Sequence, residues 1–215
     1  MQESNLASDL VRIHKVFTRA LQVTVEVSAG YLNVPPSPEL FQGFSLYVQV
    51  LFGGLKAHHD SEESVSWPYM RACNMPAPYE TLVEQHSRIA TLIETAQSAF
   101  GVGNVATFHT HVTLLQELWS AHFPLEEASF GPTVWPGPLT PEQDAELAHR
   151  VGQHQAQQME ANPDISRVVV PFVLYNLEPE DRAAWAAQIP EQVIHELVPG
   201  PWLSDWAPMK PFLLH

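Results

Sequence analysis

A pattern of six residues occurs twice in this chain and narrows what it can fold into. His58-His59-Asp60-Ser61-Glu62-Glu63 is followed by Pro68, and His122-Phe123-Pro124-Leu125-Glu126-Glu127 by Pro132. Both copies read histidine, three residues and two glutamates, with a proline six positions after the first glutamate. Composition alone would supply roughly 0.08 copies of His-x3-Glu-Glu, so the duplication is a motif with a job. A His and a Glu four apart stack on one face of an α-helix, so each copy projects an imidazole and a carboxylate in the same direction.

The apolar stripes say which direction that is. Leu10, Phe17, Leu21 and Val25 mark an amphipathic helix from about Ser8 to Ala29, stopped by Gly30. Val34-Pro35-Pro36 is a rigid linker. Ser37 as N-cap and Pro38 in the first turn open a second helix, striped by Phe44, Val48, Leu51 and Leu55 and running to about Val65. Gly53-Gly54 inside it predicts close approach of a neighbouring helix. A third helix carries Leu82, Ile89 and Ile93 on one face and stops at Phe100-Gly101. Asn104 caps a fourth, with Phe108, Leu115 and Leu118, which runs to about Glu127. Pro124 should kink it beside the motif.

Four amphipathic helices with short connections predict an all-α, up-and-down four-helix bundle over residues 1–135. Thr140-Pro141-Glu142-Gln143 reads as a capping box, and Val168–Leu174 as a short buried helix. Residues 136–215 are therefore expected to form an additional helical C-terminal layer packed on the bundle in the same globular unit.

His58 and Glu62 continue the second stripe, His122 and Glu126 the fourth, and His14 and His86 lie on the inward faces of the first and third helices. Six groups thus converge. Two carboxylates and four imidazoles in an apolar core call for a cation, and mixed nitrogen and oxygen ligation in a bundle suits iron or manganese. Each carboxylate can bridge two ions while the imidazoles divide between them. His59 falls one position off the stripe and is expected outside the ligand set, unless a shifted register puts His59 and Glu63 in place of His58 and Glu62. His111 lies too far along the fourth helix to reach. His109, His149, His154, His195 and His215 read as surface residues, and Trp67 and Trp119 as packing.

Composition bounds the partners. Ten Lys plus Arg against 24 Asp plus Glu leave a net charge of −14, which disfavours nucleic acid and anionic membrane surfaces. The single cysteine, Cys73, excludes an internal disulfide and a thiolate zinc cluster. The first residues lack a signal-peptide pattern, so the expected compartment is cytoplasmic.

Over about residues 8–132, the two His-x3-Glu-Glu segments with His14 and His86 resemble the hemerythrin-like family, the hemerythrin HHE cation-binding domain. The resemblance implies a bundle around a non-haem di-iron centre that handles dioxygen, with His14, His58, Glu62, His86, His122 and Glu126 as ligands and the two glutamates as bridges. Val170–Leu177 and the following Glu178-Pro179-Glu180-Asp181-Arg182 are similar to an extension in some members. Oxygen carriers of the family place a second histidine four residues after the third-helix ligand, where this chain has Ala90. They also use an aspartate five residues after the fourth-helix histidine, where Glu126 here follows by four. The sequence is closer to the bacterial and fungal branch. The expected function is a di-iron oxidoreductase that activates dioxygen and oxidises a small molecule. The alternatives are an oxygen-, nitric oxide- or iron-responsive binding or storage protein, and a site filled by zinc as a structural staple.

Overall fold

A computed structural model describes residues 6–214, apart from the side chain of Pro163. The described residues form helices and turns with no strand. The bundle consists of α1 (Leu6–Tyr31), α2 (Pro38–Ser61), α4 (Tyr79–Gly101) and α5 (Val105–Phe130), with a short α3 (Trp67–Ala72) between its halves. Local chemistry sets the starts. Ser37 Oγ accepts from the Leu40 N–H at 3.3 Å, and Asn104 Oδ1 from the Thr107 N–H at 3.1 Å. The stripes meet in the middle, where Phe44, Leu51, Leu55, Ile89, Ile93, Phe108 and Leu115 are fully buried. Each such side chain contributes about 1.5–3 kcal/mol by leaving water.

Because successive long helices reverse direction, the start of α1, the end of α2, the start of α4 and the end of α5 share one end of the bundle. His14, His58, His86 and His122 sit at those four places. The α5 helix packs along both α1 and α4.

Two sequence expectations need correction here. The second helix does not run on regularly to Val65: it gives way at Ser61 to a π-helical turn over Glu62–Ser66, and α3 then continues past Pro68. In that turn the Trp67 N–H bonds to the Glu62 carbonyl, five residues back. The wider turn accommodates a proline that has no N–H of its own to give. Nor do Gly53 and Gly54 both admit a neighbour. A Cβ on Gly54 would lie 3.1 Å from the Phe17 ring, but one on Gly53 would meet nothing within 4 Å. The α5 helix runs through Pro124 unbroken to Phe130.

Beyond the bundle come α6 (Pro141–Ala161), α7 (Ser166–Asn176), α8 (Pro179–Ala186) and α9 (Leu203–Trp206), then a 3₁₀ turn over Ala207–Phe212. The capping box forms at α6: Gln143 N–H to Thr140 Oγ1 at 3.3 Å, and Thr140 N–H to Gln143 Oε1 at 2.9 Å. The 3₁₀ turn lies along α2 so closely that a Cβ on Gly43 would fall 2.0 Å from the Pro208 carbonyl oxygen. Asn176 Oδ1 accepts from both Tyr47 and Arg19, and Arg19 also donates to the Phe212 carbonyl. Among the described residues, no helix is long and apolar enough to cross a membrane.

Candidate metal centre

At the shared end of the bundle, seven side chains form two adjoining groups. His14, His58, Glu62 and Glu126 each offer a ligand atom within 4.8 Å of the others, and so do His59, His86 and His122. The six residues singled out in the sequence are therefore all brought together, with His59 in addition. Two atoms bound at opposite sides of an ion at about 2.1 Å would lie about 4.2 Å apart, so each group is close to the spacing that one ion requires.

The glutamates lie between the groups. Glu62 Oε1 is 3.2 Å from His58 Nε2 and its Oε2 is 3.6 Å from His86 Nε2. Glu126 Oε2 is 3.2 Å from His14 Nε2 and 3.5 Å from His122 Nε2. Yet Nε2 of His14, His58 and His59 and all four carboxylate oxygens are buried without a hydrogen bond. Lone pairs that face one another across these distances are aimed at a common point rather than at each other. A buried carboxylate without a compensating charge costs several kcal/mol, so this donor set fits a pair of cations.

The second glutamate of each motif has a different task. Glu127 Oε1 lies 2.9 Å from His14 Nδ1, and Glu63 Oε1 lies 2.8 Å from His86 Nδ1. Each motif thus contributes a His/Glu pair to the centre and, with its next residue, supports a histidine from another helix. Gln85 Oε1 does the same for His122 Nδ1 at 3.0 Å. Such acceptors fix the tautomer and turn Nε2 inward. Aromatic contacts hold the rings further: His86 lies between His59, at 3.7 Å, and Trp67, at 4.7 Å. Trp119 meets the His14 ring edge-on at 5.3 Å while its Nε1 donates to Thr18. Both tryptophans therefore brace histidine rings of the centre as well as fill space.

Burial and the crowding of like groups shift these residues in opposite directions. Burial, with the neighbouring histidines, holds His58 and His59 well below the ordinary imidazole range. Burial and His122 push His86 down to about 3. Burial also lowers His14, but the Glu126 and Glu127 carboxylates outweigh it, and that imidazole titrates above its usual value. Burial and the Glu126 charge push Glu62 well up, since two carboxylates cannot share a dry site without a cation.

His59 is the residue that sequence reasoning put outside the set. It is 7% exposed and belongs to the three-histidine group. A stripe was there to find it: Phe52 and Leu55, seven and four residues earlier, are both fully buried. The inward face of α2 is wide enough for two adjacent positions, so no choice of register was needed. Glu63, by contrast, has a side chain 40% exposed and stays outside. Away from the centre, His111 Nδ1 donates to the Thr107 carbonyl at 2.8 Å. His109 and His154 are half-buried rather than on the surface, against Ser28 and Asp60, because each finds a polar partner on another helix. His149 and His195 are exposed, and His215 lies outside the described residues.

One side of the site opens on a cleft of about 430 Å³ between the bundle and the C-terminal segment. His58, Glu62 and Glu126 line it, whereas His14, His59, His86 and His122 do not. A family model for the hemerythrin HHE cation-binding domain matches residues 5–134. No curated protein and no solved structure matches the chain.

Proposed function

The chain belongs to the hemerythrin HHE cation-binding family, and from that premise we propose that it is a non-haem di-iron protein that activates dioxygen and oxidises a small molecule. The observation that carries this reading is the unequal division of ligands. Three imidazoles serve one position and two the other, with Glu62 and Glu126 shared. The two-histidine position is the one beside the cleft. An ion there would be held by His14, His58 and oxygens of the two glutamates, a set of four that would leave room for an exogenous molecule.

His14 and His58 would hold one ion and His59, His86 and His122 the other, with Glu62 and Glu126 offering oxygens to both. Two irons there would supply one-electron redox chemistry toward dioxygen, and the same nitrogen and oxygen donors would also accept manganese. The protein's own part is to orient and exclude. Glu63, Glu127 and Gln85 hold three imidazoles in register, and Trp67 and Trp119 pack against the His86 and His14 rings. The anionic surface favours a neutral small-molecule partner over nucleic acid or anionic membrane.

Oxygen uptake separates turnover from carriage. Ferrous-loaded protein mixed anaerobically and then given oxygenated buffer should consume oxygen irreversibly. Quantitative release of that oxygen under argon would overturn the oxidase reading in favour of reversible binding.

A further inference from the structure

We propose that the cleft beside the two-histidine position binds an uncharged, apolar small molecule, an inference that rests on the reading of that site as an oxidising centre. The cleft's volume of about 430 Å³ falls in the range of small-molecule sites. Leu10 and Phe17 of α1, Gly53 of α2, Trp67 of α3, Phe172 of α7 and Trp185 of α8 form its walls. No lysine or arginine lines it among the described residues. Asp9, at its edge, is already engaged by Arg12 at 2.7 Å and Gln188 at 2.9 Å.

Two observations bear on what the cleft can hold. Its inner end is made by His58, Glu62 and Glu126, so a molecule in the cleft would reach the side of the centre where the two-histidine ion would be held. Gly53, an exposed residue in the middle of a helix, lines the cleft mouth, and a Cβ there would meet no atom within 4 Å, so a larger side chain would extend into free space. Along these walls, away from the metal end, a carboxylate or phosphate would find no lysine or arginine to pair with. An alkyl or ring compound loses nothing by leaving water for these walls.

Nile red, an uncharged fluorophore, titrated into the iron-loaded protein tests this directly, with decanol and ionised decanoate as competitors and iron measured in the same samples. Saturable binding is expected, with decanol displacing the dye at a concentration about tenfold or more below that of decanoate. Gly53→Leu should fill the cleft and weaken dye binding about tenfold or more while keeping wild-type iron content. Gln155→Lys puts an ammonium on the cleft wall and should shift the preference toward decanoate, a gain that misfolding cannot produce. Absence of saturable binding, equal competition by the two compounds in the wild type, or wild-type dye binding by a folded Gly53→Leu protein would overturn the proposal. Protein that takes up no iron yet shows the decanol preference would count against the di-iron reading while upholding the cleft. Iron-loaded protein without the preference would do the reverse.

Discussion

Glu62 and Glu126 sit between two sets of imidazoles with oxygens that no hydrogen bond satisfies, so their loss should be felt in metal content before anything else. Glu62→Ala or Glu126→Ala is expected to lose at least one ion per chain and, with it, the stabilisation that bound metal gives the fold. Wild-type metal content in both variants, by elemental analysis, would refute the bridging assignment. The supporting glutamates give a subtler result. Glu63→Gln and Glu127→Gln should still load fully at high metal concentration, but with affinity weaker by about 10–100-fold in competition with a chelator. His59→Ala is expected to lose the ion of the three-histidine group. Retention of both ions would return His59 to the outer position that the Leu51–Leu55 stripe alone suggested. The six residues converging at this centre were legible because each continues an apolar stripe at helical spacing. The supporting role of Glu63 and Glu127 was not, because it depends on where another helix places His86 and His14, and spacing within one helix carries no such information.

At the scale of elements, what local chemistry decides was readable, and what tertiary contact decides was not. Ser37, Asn104 and the Thr140–Gln143 box satisfy helix N-termini from within a few residues, and all three stand where the sequence put them. The buried helix at Val168–Leu174 followed from an apolar run too short to settle strand against helix, yet α7 covers it. The π-helical turn after Ser61 escaped the reading because a continuous helical pattern does not announce an extra residue in one turn. The glycines of α2 mark the same boundary. Gly53-Gly54 drew attention as a pair, whereas the tightest backbone contact falls on Gly43, beside Pro208. Gly43→Val is therefore expected to displace the Ala207–Phe212 turn and destabilise the protein by about 1–3 kcal/mol in urea unfolding. An unchanged midpoint would show that the turn moves away freely.

At the scale of the whole molecule, the bundle and the C-terminal segment meet through Arg19, Tyr47, Asn176 and the Phe212 carbonyl, and one continuous apolar cluster includes residues of both. This contact makes the cleft: Phe172 and Trp185 supply one wall, α1 and α2 the other, and the two-histidine side of the centre forms its inner end. The fold thus places a charged, dry pair of carboxylates where an apolar space can reach them, and everything proposed about its chemistry depends on two ions being held there. Elemental analysis of the protein purified without added metal tests this most directly. Two irons per chain, with near-ultraviolet absorption that disappears on chelation, is the expected result; protein that carries zinc instead, or that folds to full stability with no metal at all, would contradict it.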